Sequence, residues 1–577
     1  MGAMGKQVKA PISPWRFRIV VGALFVLALL LVWRTLTLQV LDVDRGYEFL
    51  QGQGNARTNR TEVIPAHRGM ISDRNGEPLA VSTPVASIWA NPQELKNAKE
   101  EWARLASSLE MKPAELSRRI ARYSGSQFMY LRRHMAPAAA QQIMQMKVPG
   151  VYLQREYRRF YPAGEVTAHV LGFTDIDDRG QEGLELAYDE WLNGTPGRKQ
   201  VLKDLYGNII REIDAGEAAS PGKDIQLSID LRLQYLAYKE LKSAITKTGA
   251  KAGSVVIIDS ESGEVLAMVN QPSFNPNNRS QLVPDAMRNR AVIDMFEPGS
   301  TVKPLTIVAG LESGKYTPET IINTNPGYIK VGPKVLEDHR NYGSITVAEV
   351  LKKSSQVGTT KIALSLDEND VWGVFNRFGL GRSTGSGFPG ESNGMLPNRP
   401  NWRAIERATF AFGYGLTVTN LQLAQAYSVF ANRGMFQQVS LLKRTEKPVK
   451  QQVISAKIAR QVVSMLEEVT ELGGTATRAQ VDAYRIAGKT GTSHKAEAGG
   501  YAKDRYFALF AGVAPASNPR IVAVVTIDEP HGDYFGGLVA APVFSKVVSD
   551  ALRLLNIAPD NLEPADPKPK VKGDSAA

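Results

Sequence analysis

The sequence has 577 residues, a formal net charge of +11 and no cysteine. The length suits roughly three or four domains, and the lack of thiols excludes disulfides, thiol catalysis and cysteine-ligated zinc. The six histidines are scattered without the i,i+4 spacing of a helical metal site, so we expect no metal or other cofactor. A basic balance fits nucleic acid, anionic lipid or an acidic polymer as partner, but no nucleic-acid-binding module is recognisable.

Residues 19–41 are predicted to form a transmembrane anchor. Ile19–Trp33 is an unbroken apolar run, and Arg16, Arg18 and Arg34 at its ends have side chains long enough to reach the lipid headgroups. The alternative is a cleaved signal peptide, which needs a small-residue cleavage site after the apolar run. The residues that follow Arg34 supply no such site, so we favour an uncleaved anchor.

The charges before this run predict its orientation. No acidic residue occurs before Asp42, and residues 1–18 are therefore predicted to be a cytoplasmic tail. The basic residues that precede the run are Lys6, Lys9, Arg16 and Arg18. Because no second long apolar run follows, the chain is expected to cross the membrane once and to continue outside the cytoplasm.

Residues 42–225 are predicted to form a mixed α+β domain that acts as a spacer or docking pedestal. The Asn75-Gly76 turn signal within 68–76 indicates a hairpin, and the Ala-, Leu-, Glu- and Arg-rich pattern of 93–146 indicates helices. No catalytic constellation is recognisable here. Three arginine doublets are interpreted as solvated helix faces: Arg118-Arg119, Arg132-Arg133 and Arg158-Arg159.

A second domain is predicted over 226–556. Two strands near its start and strong strands near its end predict an α/β sheet assembled from distant parts of the chain. The predicted elements are a helix at 231–248, strands at 253–259, 264–270, 506–514 and 521–528, and a helix at 541–555. The Pro- and Lys-rich end, 557–577, is predicted to be disordered.

The stretch Phe296–Pro304 carries a serine and a lysine three residues apart. Pro298 and Gly299 suit a helix start, so we expect Ser300 in the first turn, on the same face as Lys303. A hydroxyl nucleophile needs a base within hydrogen-bond reach, and Lys303 can be that base if its amine is held neutral. Alone this spacing is weak evidence, because Ser-x-x-Lys is short enough to occur by chance.

The stretch Lys352–Gly358 contains a second pair of polar residues. Ser354 and Gln356 could present a hydroxyl and an amide to one cleft. A loop between two helices is the simpler interpretation of this stretch on its own.

The segment Ile486–Thr492 is predicted to be a short strand that suits a substrate carboxylate. Lys489 offers a positive charge, and Thr490 and Thr492 offer hydroxyls. Gly491, between the threonines, allows a ligand backbone to approach closely. A solvated lysine at a strand end is the alternative.

These three segments, in this order, resemble the penicillin-recognising serine enzymes. The joint occurrence is far more specific than any one motif. Further stretches resemble class B penicillin-binding proteins, and the division-specific transpeptidases of Gram-negative bacteria such as pseudomonads above all. These stretches are Arg68–Gly76, Arg159–Pro162, Gly180–Glu185, Glu297–Thr301 and Phe412–Leu416.

One residue departs from the family pattern. The second motif of the family ends in Asn, whereas this chain has Gln356, which carries the same amide on one more methylene. Gln could keep the hydrogen bond with a shifted backbone, or could move the amide off its target. A specialised paralogue and a catalytically weakened division scaffold therefore stay open as alternatives. An elongation-type transpeptidase is a further alternative, which subtle motif differences and localisation would separate from the division type.

The resemblance implies a fold and a reaction. The fold is a multi-domain α/β protein, in which a single transmembrane helix and a mixed α+β pedestal precede a transpeptidase domain with a central antiparallel five-stranded sheet and a helical insert. The reaction is D,D-transpeptidation of peptidoglycan stem peptides through an acyl-enzyme on Ser300. The implied site residues are Ser300, Lys303, Ser354, Gln356 and Lys489 for catalysis, Ser300 and Thr492 for the oxyanion hole, and Lys489, Thr490, Gly491 and Thr492 for substrate binding.

The resemblance also implies partners and a location. The expected ligands are stem peptides and β-lactam antibiotics, and the expected protein partners are a multi-pass lipid-linked glycan polymerase of the SEDS type and other membrane proteins of the division machinery. The expected location is the inner membrane, with the catalytic domain in the periplasm and a role in septal wall synthesis. A β-lactamase is the rival enzyme, but the glutamate motif that one class uses for hydrolysis is not recognisable between Ser354 and Lys489.

Overall fold

A computed structural model of the protein describes residues 14–39, 49, 52, 59–203, 209–280, 283–497 and 499–562. By compactness the chain divides into two units, and the first comprises 1–66, 84–156 and 195–221. The second comprises 67–83, 157–194 and 222–577. The region 42–225, predicted as one pedestal domain, thus contributes to both units.

The N-terminal helix Pro14–Gln39 is 26 residues long and apolar enough to cross a membrane. None of its side chains is buried by the protein. Such an apolar surface is stable only where lipid or another apolar partner covers it. The helix includes most of the predicted anchor 19–41, and the last two residues of that prediction lie outside the described residues.

The first unit contains two sets of paired strands and a group of short helices. Strand Gly197–Lys203 pairs antiparallel with Asn59–Ile64 on one side and with Ile209–Glu217 on the other. The second half of strand Pro78–Ala90 pairs antiparallel with Met129–Met135. The helices are Pro92–Leu95, Trp102–Ser108, Pro113–Arg122 and Pro137–Gln145, with a 3-10 turn at Lys99–Glu101.

The prediction of helices over 93–146 is therefore wrong at one place. Met129–Met135 is a strand, and Arg132-Arg133 lie in it and not on a helix face. Its alternate residues Met129, Leu131 and Met135 join the apolar core of the unit. Strand Val151–Phe160 also pairs with Pro78–Ala90.

The arginine doublet Arg158-Arg159 was also predicted wrongly as a solvated helix face. Arg159 lies in a strand of the chain and is buried, with its Nε 2.6 Å from Glu185 Oε1. Arg68 Nε donates to the other oxygen of the same carboxylate at 2.7 Å. Buried charges are tolerated when paired and hydrogen-bonded in this way.

The centre of the second unit is a five-stranded antiparallel sheet, as predicted. Numbered in chain order, its strands are β1 Ala252–Asp259, β2 Val265–Gln271, β3 Ala487–Glu497, β4 Gly500–Ala514 and β5 Ile521–Asp528. Their order across the sheet is β2-β1-β5-β4-β3. One row of paired residues crosses all five strands: Val269, Val255, Val525, Phe510 and Thr490.

Helices cover this sheet, and β1, β2 and β5 are buried almost throughout. Helix Leu231–Thr248 packs against β2 and against helix Ala541–Leu554, and helix Asn420–Ala431 packs against β1 and β5. The remaining helices of the unit are Ala168–Leu171, Gly183–Ala187, Asp189–Leu192, Pro284–Met287, Arg290–Ile293, Lys303–Glu312, Val347–Lys352, Gln356–Ser365, Asp370–Arg377, Ala404–Phe410, Ala456–Thr470 and Gly536–Val539, with 3-10 turns at Gly164–Val166, Gly299–Val302 and Thr477–Ala479. The shorter strands are Ile71–Ser72, Ile225–Gln226, Ile321–Asn323, Tyr328–Val331, Lys334–Glu337, Ser344–Thr346, Met435–Phe436 and Gln451–Gln452.

The start of the predicted disordered tail is described as far as residue 562. Asp560 accepts hydrogen bonds from the backbone N–H groups of Arg485 and Ser517, at 2.7 and 3.1 Å. These six residues are thus tied to the second unit, and 563–577 lie outside the described residues.

Candidate active site

Ser300 lies in a 3-10 turn, Gly299–Val302, that leads directly into helix Lys303–Glu312. The sequence predicted that Ser300 lies in the first turn of an α-helix. In the structure Ser300 lies in a 3-10 turn, and the α-helix begins three residues later, at Lys303. Gly299 has a φ of +52°, a conformation that favours glycine, and its N–H donates to the Gly413 carbonyl at 3.2 Å. The buried Tyr427 hydroxyl donates to the Thr301 carbonyl at 2.7 Å, so the turn is held from two sides.

Lys303 is completely buried beneath this turn. Its Nζ donates to the Ser354 carbonyl at 2.5 Å and to Ser354 Oγ at 3.2 Å. Among the described residues, Ser354 and not Ser300 is its hydrogen-bond partner. Burial lowers the pKa of the Lys303 ammonium to about 7, because the charged form is poorly solvated there.

Ser354 stands between two helices, as its simpler interpretation predicted. Helix Val347–Lys352 ends just before it, and helix Gln356–Ser365 begins two residues later with Ser355 as its N-cap. Ser354 has a φ of +58°, which is uncommon for a residue with a side chain. This backbone turns both its carbonyl and its hydroxyl towards Lys303.

Lys489 approaches Ser354 from strand β3 and is also completely buried. Its Nζ lies 3.0 Å from Ser354 Oγ. Burial lowers the pKa of Lys489 well below its ordinary value, and the positive charge of Lys303 lowers it further. The sequence prediction gave Lys489 a positive charge for a substrate carboxylate, whereas the folded site favours its neutral amine until an anion arrives.

One hydroxyl thus bridges two buried amines. Ser354 Oγ lies within hydrogen-bond distance of both Lys303 Nζ and Lys489 Nζ. Two positive charges so close together in a buried site repel each other strongly, so the pair holds one proton or none near neutral pH. A hydroxyl between two such amines can pass a proton from one to the other.

The next residues of β3 line a cavity of about 590 Å³. Thr490 Oγ1 is 2.9 Å from Thr475 Oγ1, and Thr492 Oγ1 accepts from the Gly536 N–H at 3.1 Å. A Cβ on Gly491 would lie 2.8 Å from Thr301 Cγ2. A glycine is therefore required at position 491 by the packing of β3 against the turn that carries Ser300. The sequence prediction had explained this glycine only by the close approach of a ligand.

The cavity brings together most of the residues that the sequence predicted. Ser300, Ser354, Gln356, Thr490, Gly491 and Thr492 line it. Lys303 and Lys489 do not line it and lie buried next to Ser354. Ser300 is only partly exposed, as expected for a nucleophile at the base of a cleft.

Sequence reasoning missed a wall of aromatic rings on the same cavity. Tyr506 and Tyr534 stack with centroids 4.2 Å apart, and Phe535 packs on Tyr534 at 4.5 Å. His494, which follows Thr492 by two residues on β3, packs on Tyr506 at 4.6 Å. No periodic pattern in the sequence marks Tyr506, Tyr534 and Phe535 as site residues. His494 is different, because it lies two residues after Thr492 on β3 and the alternation of a strand places both on one face.

The sequence also gave no role to Asp338, which lines the cavity. Its carboxylate accepts from Ser355 Oγ and from the Gln356 N–H, both at 2.6 Å, and from the Val357 N–H at 3.1 Å. The only signal in the sequence is a polar run after the apolar pair Val335-Leu336, and such a run does not distinguish a site residue from a surface residue.

Comparison with known proteins matches both parts of the chain. Residues 63–227 match the penicillin-binding protein dimerisation domain, and residues 253–549 match the penicillin-binding protein transpeptidase domain. The peptidoglycan D,D-transpeptidase FtsI of Escherichia coli K12 is 42% identical over 558 residues, which cover 96% of this chain and 94% of that protein. The probable peptidoglycan D,D-transpeptidase PbpC of Pseudomonas aeruginosa is 44% identical over 551 residues, 95% of this chain and 97% of that protein.

A solved structure shares the fold. Penicillin-binding protein 3 of Mycobacterium tuberculosis, solved in complex with aztreonam, superposes with a TM-score of 0.68 at 28% sequence identity. The match covers 86% of this chain and 98% of that one.

Proposed function

The chain belongs to the class B penicillin-binding proteins, which join a dimerisation domain to a transpeptidase domain, and we propose that it is a peptidoglycan D,D-transpeptidase of septal wall synthesis. The observation that carries this proposal is the meeting of two buried lysines on Ser354 at a cavity lined by Ser300. Burying two amines is unfavourable, and catalysis by a neutral lysine is a sufficient reason for it.

In the proposed first step, Ser300 Oγ attacks the carbonyl between the two terminal D-alanines of a stem peptide. Lys303 accepts the hydroxyl proton, since its pKa of about 7 leaves much of it neutral near pH 7. The new bond joins Oγ to the carbonyl carbon, and the bond from that carbon to nitrogen breaks. Ser354 passes the proton to the leaving D-alanine, which departs with a neutral amine.

Strand β3 and the turn that carries Ser300 are proposed to supply the groups that hold the substrate. The backbone N–H groups of Ser300 and Thr492 are proposed to bind the oxyanion, where each such donor is worth roughly 3–4 kcal/mol. Thr490, Thr492 and Lys489 are proposed to bind the terminal carboxylate. The arriving carboxylate favours a protonated Lys489, because an opposite charge at short range raises the pKa of an ammonium.

The acyl-enzyme is then resolved by an amine of a neighbouring stem peptide. The amine nitrogen bonds to the acyl carbon, the bond from that carbon to Ser300 Oγ breaks, and the amine proton returns to Oγ through Lys303. A β-lactam is expected to enter the same first step and to stop there, because its ring-opened product blocks the incoming amine. The complex of the mycobacterial relative with aztreonam supports this expectation.

The likeness to FtsI supports a place in the division machinery of the inner membrane. We propose that the helix Pro14–Gln39 spans this membrane once, with residues 1–18 in the cytoplasm and the catalytic unit in the periplasm. The anchor and the dimerisation domain are proposed to contact a multi-pass SEDS-type glycan polymerase and other division proteins.

The test is covalent labelling of the full chain in detergent with a fluorescent penicillin. A stable adduct on Ser300, located by mass spectrometry, is expected, and Ser300→Ala should abolish it. Ser313→Ala is the matched control, since Ser313 caps the far end of the same helix. An adduct elsewhere, or turnover that survives Ser300→Ala, would refute the assignment, and rapid loss of the label would indicate a β-lactamase.

A further inference from the structure

Asp338 follows the second strand of a small hairpin near the active site. The hairpin pairs Tyr328–Val331 with Lys334–Glu337, and the Asp338 N–H donates to the Gly327 carbonyl at 2.9 Å. A second pair of strands, Ile321–Asn323 and Ser344–Thr346, closes the base of this excursion. Asp338 therefore lies between two paired strands, Lys334–Glu337 before it and Ser344–Thr346 after it.

The Asp338 carboxylate binds three consecutive residues of the second catalytic segment. Oδ2 accepts from Ser355 Oγ at 2.6 Å, and Oδ1 accepts from the N–H groups of Gln356 and Val357 at 2.6 and 3.1 Å. These N–H groups open the ten-residue helix Gln356–Ser365. A carboxylate at this end also interacts favourably with the helix dipole.

The same turn determines where Ser354 points. Ser354 immediately precedes the residues that Asp338 holds, and its φ of +58° is an uncommon conformation that needs support from its surroundings. Both Lys303 and Lys489 depend on this residue for a hydrogen bond. Loss of the hydrogen bond between Asp338 and Ser355 would therefore move the Ser354 hydroxyl, which bridges the two lysines.

The charge of Asp338 also acts on this cluster. Among the described residues, two charged groups act on Lys303: Lys489, which shares the Ser354 hydroxyl with it, and Asp338. Burial lowers the pKa of Lys303, and the negative charge of Asp338 partly offsets this by favouring the ammonium. Without this charge, the buried pair of amines would hold a proton less readily.

We propose that Asp338 is a positioning residue of the transpeptidation reaction, which fixes the Ser354–Gln356 turn and supplies the negative charge that balances the buried lysines. This inference rests on the proposed function, because it assigns Asp338 a part in acylation of Ser300.

Two substitutions separate position from charge. Asp338→Ala removes all three hydrogen bonds. Asp338→Asn keeps a carbonyl for the two N–H groups, removes the charge and replaces the acceptor of the Ser355 hydroxyl with an amide N–H donor. Asp367→Asn is the matched control, because Asp367 is an exposed carboxylate just beyond the other end of the same helix. The full chain is labelled with a fluorescent penicillin from pH 5 to 9, and thermal unfolding of each variant is recorded.

Asp338→Ala should lower the plateau rate constant of labelling by about tenfold or more, since two backbone donors and Ser355 lose their partner. Because it also removes the charge, its acid limb should move in the same direction as that of Asp338→Asn. Asp338→Asn should keep the plateau rate within about threefold and shift the acid limb of the profile by about one pH unit to lower pH. Asp367→Asn should match the unsubstituted chain. A residue with a merely structural role would lower the rate without moving the acid limb.

Two outcomes would overturn the inference. Labelling of Asp338→Ala at the original rate would exclude the positioning role, and an unmoved acid limb in folded Asp338→Asn would exclude the charge role. Both would leave the labelling of Ser300, and hence the proposed function, intact. Absence of any adduct in the unsubstituted chain would overturn the proposed function and this inference together.

Discussion

The rate at which a penicillin acylates Ser300 should follow the ionisation of Lys303. Lys303 is completely buried, and burial lowers the pKa of its ammonium from 10.5 to about 7. This lowering corresponds to about 5 kcal/mol in favour of the neutral amine. About half of the molecules therefore have a neutral base at pH 7.

The expected pH profile has a single acid limb. Below pH 6 the rate should fall about tenfold per pH unit, because a protonated Lys303 cannot accept the hydroxyl proton. Above pH 7 the remaining gain is at most about twofold, because the amine is already half neutral. A lysine with an ordinary pKa would instead give about a hundredfold rise between pH 7 and pH 9.

The assay is single-turnover labelling of the full chain with a fluorescent penicillin in buffers from pH 5 to 9. Spontaneous hydrolysis of the penicillin is measured without protein, and circular dichroism at each pH excludes unfolding as the cause of a loss. A steady tenfold rise per unit from pH 7 to 9 would refute the argument that burial makes Lys303 a neutral base. A rate that is independent of pH down to 5 would refute its role as the base.

Four substitutions test the packing and the site by chemical denaturation and penicillin labelling. Lys303→Met should abolish labelling and stabilise the fold by about 3 kcal/mol at pH 7, since an apolar side chain avoids the cost of burying an amine, less its hydrogen bonds. This gain in the free energy of unfolding should shrink as the pH rises towards 10.5, because the lysine of the unfolded chain then also loses its proton. A Lys303→Met variant that is less stable at pH 7 would contradict this prediction. Glu185→Gln should cost about 3–5 kcal/mol, because the buried Arg159 loses its ion-pair partner and the buried Arg68 keeps only Asp189. An unchanged denaturation midpoint would disprove this. Gly413→Ala should impair folding and labelling, because a Cβ there would lie 2.2 Å from the Gly299 carbonyl oxygen, and normal labelling would refute the clash. Gln356→Asn should slow labelling about tenfold by withdrawing the amide from the cavity, and a faster rate would show instead that the glutamine weakens the site.

The sequence predicted local elements well where their end signals are local. The helix predicted at 231–248 has those same bounds in the structure. Asp230 caps its start by accepting from the Arg232 N–H at 3.0 Å, and Gly249 ends it with a φ of +61°. Both signals lie within two residues of the ends that they determine, so a single sequence is enough to read them.

The order of strands in the central sheet could not be read in this way. The alternating and apolar runs, with the segment Ile486–Thr492, predicted all five of its strands, but β1 pairs with β5, whose residues lie more than 250 positions later in the chain. Nothing in either strand specifies this partner, because both are apolar on both faces. Which strands pair is decided by the packing of the whole unit.

Arg159 shows the same limit for charged residues. A pair of adjacent arginines is typical of a solvated surface. Arg159 is buried because it is paired with the Glu185 carboxylate, which lies 26 residues further along the chain. Asp338 was missed for a related reason, since its partners Ser355 and Gln356 are 17 and 18 residues away. Polar contacts over such separations leave no periodic trace in the sequence.

Three motifs that are weak alone become specific because the fold brings them to one hydroxyl. Lys303 begins a helix, Ser354 lies in a left-handed turn, and Lys489 lies on an edge strand of the sheet, yet both amines reach Ser354 Oγ within 3.2 Å. A fold selected for stability alone would replace two buried lysines with apolar side chains. Their burial next to a partly exposed serine therefore indicates chemistry that needs an amine free of its proton, and Asp338 is the one described carboxylate whose charge favours the proton on Lys303. The balance between the burial of Lys303 and the charge of Asp338 therefore places the pKa of the base near neutral pH.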